Sequence, residues 1–165
     1  MTKKGWILNV LLLTVALLSG LFIAECAVRI FLPLYPSIYQ PDALLLYKLV
    51  PKSKKIFVRE KGNGGQKIIV TINSLGFRGE EFSTTPKKKR VIVYGDSFIE
   101  GEYSSLENTF VKQLEKRLKA THGDNVEIIN AGVAGYGPDQ EALKMQKELD
   151  ILKPNLVLSH TEIEG

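Results

Sequence analysis

The chain has 165 residues, 44% of them hydrophobic and 24% charged, and a formal net charge of +4. That composition is ordinary globular material with room for one modest domain, and so mild a charge gives little reason to expect a nucleic-acid partner. Cys26 is the only cysteine, which excludes an intrachain disulfide and a thiolate metal cluster.

The first element is a run of nineteen residues without a charge, positions 6–24, reading WILNVLLLTVALLSGLFIA. As a helix it would rise roughly 28 Å, close to the hydrocarbon thickness of a bilayer. Lys3 and Lys4 precede it, while Glu25 and Arg29 follow one helical step of four apart. A cleaved signal peptide would have a shorter apolar region and a small-x-small site, which "AECAV" lacks. Bulky, charged Glu25 before Cys26 argues against a lipidated cysteine, and a core helix apolar all round does not suit so small a protein. The expectation is an uncleaved single-pass anchor, with the Lys-rich end cytoplasmic and the remainder extracytoplasmic, that is periplasmic.

Residues 33–55 are punctuated by Pro33, Pro36, Pro41 and Pro51 and read as an irregular stalk, with one short apolar turn over 43–49. "IFVRE" and "QKIIVTIN" then flank "KGNGG", two β-rich runs around a Gly/Asn loop, which predicts a hairpin. A phosphate-binding loop is the less fitting reading of those glycines, because no strand-then-helix context surrounds them. "NSLGFRGEEF" is a turn-rich connection. The run "PKKKR", residues 86–90, stands before a strand without interleaved aromatics or a second basic block, and reads as a solvated linker rather than a site for nucleic acid or anionic lipid.

From residue 90 the pattern alternates. "VIVYG" has the length and continuity of a buried strand. "SLENTFVKQLEKRLKA" places Phe110, Leu114 and Leu118 at steps of four, with Val111 alongside, and predicts an amphipathic helix opened by a Ser104/Glu107 capping box and stopped at Gly123. "VEII" is a second strand. "QEALKMQKELDIL" is a second helix with Ala142, Met145, Leu149 and Leu152 on one face, and "NLVLS" is a third strand. Strand–helix–strand–helix–strand at this spacing argues for a parallel sheet with helices on its faces.

Ligands of such sheets bind at the carboxyl ends of the strands, where the sequence places two loops, Gly95-Asp96-Ser97 and residues 130–139. Ser97 would then open a helix, where free N–H groups favour developing negative charge. Gly95 permits a sharp turn, while Gly132, Gly135 and Gly137 let backbone N–H groups approach a reacting oxygen. Nucleophile plus part of an oxyanion hole is half of an acyl-transfer site; the competing reading of the same residues is a Ser/Asp helix cap.

"VIVYGDSFIEGE" resembles the first block of the GDSL/SGNH hydrolases and "INAGVAGYG" the second, while "TINSLGFRGEEF" with the amino-terminal anchor resembles the membrane-anchored bacterial branch of that superfamily. The likeness covers most of residues 5–158. It implies an α/β fold: a transmembrane helix, a small β-hairpin region, and a partial SGNH domain, a flavodoxin-like parallel three-layer sandwich. The corresponding division is 1–32 for the anchor, 33–89 for stalk, hairpin and basic linker, and 90–165 for the partial hydrolase domain. By resemblance Ser97 would be the nucleophile, its own N–H and that of Gly135 would be oxyanion donors, and Asp96 and Asn130 would support them. Members are esterases, lipases, carbohydrate acetyl-esterases or O-acetyltransferases without metal or organic cofactor. Arg78 often stands in that setting, with no role assigned.

The family's third block, Gly-x-Asn-Asp, belongs just after "NLVL", where this chain reads "SHTEIEG", and the final Asp-x-x-His block is absent. A serine needs a base to take its proton. His122 falls at the wrong end of its helix. His160 falls at the correct edge, with Glu162 and Glu164 nearby, although an exposed tail is the simpler reading. The expectation is a carboxyl-truncated, inactive piece of a serine ester hydrolase or O-acetyltransferase that acts on acyl groups of envelope polysaccharide or lipid. The alternatives are a non-enzymatic anchored binding module pairing through an exposed strand edge, and an anchored helper whose basic linker binds anionic polymer.

Overall fold

The computed structural model describes residues 3–31, 37–58 and 65–160. The chain divides into two compact units, residues 1–35 and 36–165.

The first unit is one helix, α1 (Lys3–Phe31). Its large apolar residues, from Trp6 to Ile30, are exposed. Residues 5–30 are long and apolar enough to cross a membrane. The helix runs past the uncharged stretch because Arg29 Nε donates to Glu25 Oε1 at 2.7 Å, a pairing that holds one more turn.

The second unit is mixed α/β. Its centre is a parallel sheet in the order β6-β5-β7, formed by β5 (Lys89–Tyr94), β6 (Val126–Asn130) and β7 (Leu156–Ser159). Between the strands run α2 (Ser97–Glu100), a 3-10 turn at Leu106–Asn108, α3 (Phe110–His122) and α4 (Pro138–Leu152). Alternation along β5 separates two clusters. Ile92 and Tyr94 pack with Ile129, Leu152, Met145 and Leu149, whereas Val91 and Val93 pack with Ile99, Val111, Ile128 and Leu158. The central strand therefore has no solvent face, which is why it reads as a continuous apolar run.

Two antiparallel hairpins precede the sheet. β3 (Lys54–Val58) pairs with β4 (Lys67–Thr71), as the two β-rich runs predict; most of the "KGNGG" tip lies outside the described residues. β1 (Tyr39–Asp42) pairs with β2 (Leu46–Leu49), in a stretch that reads as irregular stalk. Pro41 is tolerated because this two-stranded ribbon has an unpaired side on each strand. The hairpin is a structural part of the unit: Ile38, Leu45 and Leu49 are buried with Ile68, Val70 and Ile72 of the second hairpin, and with Val133 and Tyr136 of the loop after β6. Pro33 and Pro36 lie outside the described residues.

Three local expectations are corrected. The α3 N-cap is Thr109, whose side chain accepts from Lys112 N at 3.3 Å, because residues 106–108 form a 3-10 turn where the capping-box reading starts the helix. Phe110 is consequently exposed, and α3 buries Val111 and Glu115. On α4, Ala142 is exposed while Glu141, Lys144 and Leu152 are buried. Arg90, read as the end of a solvated linker, is fully buried inside β5 and pairs with Glu127 at 2.8 Å.

Candidate functional site

β5 and β6 end side by side, and their carboxyl-terminal loops interlock. After β5 the chain turns at Gly95 into α2. Asp96 caps this helix, its Oδ1 accepting from Phe98 N at 2.8 Å, and half-buried Ser97 is the first helical residue. A Cβ on Gly95 would stand 2.3 Å from Ile99 Cγ1, so only glycine lets α2 fold back this tightly. A Cβ on Gly132 would stand 2.4 Å from Glu100 N, so a second glycine lets the loop after β6 lie against the backbone of α2.

Asn130 joins the two loops. Its Nδ2 donates to Ile99 O at 2.7 Å and its Oδ1 accepts from Gly132 N at 3.0 Å, both buried. Val133 N donates to Gly95 O at 2.9 Å, and Ala131 N to Val93 O at 2.8 Å. The backbone N–H groups of Ser97 and Gly135 have no acceptor among the described residues. Gly135 has φ +80, a left-handed conformation natural to glycine.

Several residues that sequence reasoning left without a role hold this edge together. Glu100, the last residue of α2, is fully buried; its carboxylate accepts from Ala134 N at 2.6 Å and from the Tyr39 hydroxyl at 3.1 Å. Burial pushes its carboxyl above the ordinary range despite those hydrogen bonds and the nearby Arg78 cation. Buried Arg78 donates Nη1 to Glu100 O and Nη2 to Ser104 O, the latter at 2.6 Å, holding the segment that leaves α2. Its backbone bridges Ile72 on one side and Asn130 on the other. This gives Arg78 a structural job, visible only once the turn of Asn73 is known: Asn73 Oδ1 accepts from Leu75 N and Phe77 N, at 3.0 and 2.9 Å.

His160 follows β7 and its N–H donates to Tyr94 O at 3.1 Å, so it does reach the edge that carries Ser97. Its exposed ring has its centroid 6.3 Å from that of Phe98. Beside it, buried Glu141 of α4 accepts from Ser159 Oγ at 2.8 Å, and burial pushes the Glu141 carboxyl up. Glu162 and Glu164 lie outside the described residues. His122 ends α3, as its spacing predicts. A cavity of about 230 Å³ lies along β6, lined among others by Phe82, Val111, Lys112 and Ile128; Ser97 is not part of it.

No family model matches the chain. No curated protein matches it. Among solved structures it is similar to AlinE4, an SGNH-hydrolase family esterase, at 26% identity and a TM-score of 0.41, over 47% of this chain and 41% of that one. Two mutants of the same esterase, one with an aspartate and one with a serine replaced by alanine, match at 26% and 25% identity with the same TM-score. The chain thus spans about two fifths of the length of the solved structures it matches. Its structural neighbours are SGNH esterases.

Proposed function

We propose that the chain is part of a membrane-anchored serine ester hydrolase or O-acyltransferase of the SGNH type, acting on acyl groups of envelope polysaccharide or lipid. The observation that carries this reading is the interlock of the Ser97 turn with the glycine loop after β6, through Asn130 and through Val133 N to Gly95 O at 2.9 Å. Its second support is the spacing of the two sequence blocks that end β5 and β6. A parallel sheet with apolar clusters on both faces is consistent with the reading.

In this reading Ser97 Oγ attacks the acyl carbon and yields its proton to a base. The carbonyl oxygen, now negative, accepts from the N–H groups of Ser97 and Gly135, the donor pair that the reading assigns to it. The C–O bond to the leaving alcohol breaks, the alcohol takes the proton, and water or a second alcohol removes the acyl group from Ser97. Asp96 caps the turn that carries the nucleophile, and Asn130 holds the two loops together. His160 reaches the same edge through its backbone, but its exposed ring makes no hydrogen bond to Ser97 among the described residues, and the reading assigns it no part in the reaction. The anchor α1 keeps the second unit outside the cytoplasmic membrane.

The chain alone is expected to be inactive, so the test is hydrolysis of p-nitrophenyl acetate, in detergent micelles, by the chain extended with a carboxyl-terminal segment carrying Gly-x-Asn-Asp and Asp-x-x-His blocks. In that extended chain Ser97→Ala is expected to remove at least about a thousandfold of the rate, the scale set by loss of a serine nucleophile. Equal activity with and without Ser97→Ala in the extended chain sinks the nucleophile assignment. A reporter enzyme active only outside the cytoplasm, fused after Ser159, checks the orientation of the anchor.

A further inference from the structure

Peptide planarity makes one contact at this edge more telling than its distance alone. The carbonyl of Ala134 and the N–H of Gly135 belong to a single trans peptide plane, so they point in opposite directions and turn together. The Tyr47 hydroxyl donates to Ala134 O at 2.8 Å. Whatever fixes that carbonyl fixes the Gly135 N–H, aiming it away from Tyr47. The preceding peptide plane is held from the other side, because Ala134 N donates to Glu100 Oε2 at 2.6 Å. Two successive planes are therefore pinned by two side chains, one from the hairpin β1–β2 and one from α2 itself.

Tyr47 is in turn fixed. Its ring meets those of Tyr39 and Tyr136 edge-on, with centroids 5.8 and 5.4 Å apart, and its carbonyl accepts from the Tyr136 hydroxyl at 2.5 Å. Tyr39 closes the circuit by donating to Glu100. The fit at the end of the pin is close: a Cβ on Gly135 would stand 2.6 Å from the Tyr47 hydroxyl oxygen.

We propose that Tyr47 and Glu100 are positioning residues that lock the Gly135 N–H in the direction an oxyanion requires, so that the hairpin β1–β2 is part of the acyl-transfer machinery. This deepens the function proposed above and rests on Ser97 as its nucleophile. Neither side chain touches the reacting atoms. Tyr47 acts on the carbonyl of the plane whose other end is the donor, and Glu100 couples that loop to the turn carrying the nucleophile.

The experiment compares Tyr47→Phe, and Glu100→Leu, which removes both acceptor oxygens, with the unaltered background in detergent micelles, reading exchange on the full chain and kinetics on the extended chain described above. Backbone hydrogen exchange over residues 131–137 is read alongside p-nitrophenyl acetate kinetics. Exchange in that loop should rise about tenfold or more in both variants while β5 and β6 stay protected. At the same time kcat should fall about ten- to a hundredfold with KM held within about twofold, below the loss that follows removal of a whole oxyanion donor. Loop exchange as in the unaltered chain would overturn the pin. A loosened loop with an unchanged Ser97-dependent kcat would overturn its catalytic meaning. If the extended chain shows no Ser97-dependent turnover, the function itself fails, and the exchange data still decide whether Tyr47 and Glu100 hold the loop.

Discussion

Replacing Arg90 by methionine tests how the basic run before β5 is used. The guanidinium is fully buried and its five N–H donors all find acceptors. Nε and Nη2 reach Glu127 Oε1 at 2.9 and 2.8 Å, Nη1 reaches the carbonyls of Leu152 and Thr84, and Nη2 also reaches that of Ser83. Methionine keeps a stem over the Phe82 ring, which the guanidinium faces at 5.4 Å, and removes every donor. Breaking a buried pair by deleting one partner costs about 3–5 kcal/mol. Glu127 keeps 22% of its side chain exposed and regains some hydration, which places its share near the low end. The buried Leu152 carbonyl, left without its donor, adds about 1 kcal/mol. A total near 4 kcal/mol is a large fraction of the roughly 5–15 kcal/mol that holds such a unit together. At about 3–5 °C per kcal/mol for this size, the melting temperature should fall by about 12–20 °C. Differential scanning calorimetry of the full chain in micelles reads the shift, with exposed Lys88→Ala and Lys89→Ala as neighbours that should move it by no more than about 2 °C. A small shift in Arg90→Met, equal to that of the two lysine variants, would refute the argument: the run would then be the solvated linker that its composition suggests.

Three further outcomes follow from the same packing. Gly132→Ala should destabilise by about 1–3 kcal/mol, because its Cβ meets the backbone nitrogen of Glu100 at 2.4 Å and backbone cannot step aside as a side chain can; urea titration checks it. Gly137→Ala, with open space around its Cβ, is the control and should stay within about 0.5 kcal/mol. Burial opposes ionisation of Glu115, but hydrogen bonds from Lys119 and Lys112 outweigh it and hold its carboxyl below the ordinary range. A depressed carboxylate contributes stability above its unfolded value, near pH 4.3, and loses it as pH falls through the lower folded value. Glu115→Gln should therefore lower the melting temperature at neutral pH and flatten its decline below about pH 4; an acid limb as steep as in the unaltered chain would contradict the assignment.

What could be read from the sequence, and what could not, divides along a physical line. Periodicity exposes elements whose burial is set by one surface. The continuous apolar run of β5, the β-rich runs of β3 and β4 and the uncharged span of α1 are all legible, because hydrophobic burial is local in its demand and long in its signal. The Gly95-Asp96-Ser97 turn was equally visible, since a glycine before a capping aspartate between strand and helix has few other uses. The residues that hold the site were hidden because each owes its place to a distant partner. Glu100 follows the serine turn as an ordinary acid would, and only the approach of Ala134 and Tyr39, 34 and 61 positions away, makes a buried acceptor of it. Arg90 closes a basic run whose lysines are solvated, and only Glu127 and the Leu152 carbonyl draw it inward. Tyr47 lies 87 positions from the carbonyl it holds, in a stretch where four prolines argue locally for an irregular chain. The hairpin β1–β2 forms against that local preference because its buried leucines meet Val133 and Tyr136 of the glycine loop. A segment that folds only by packing on the site is the segment most able to position it, and for the same reason its pattern alone says least.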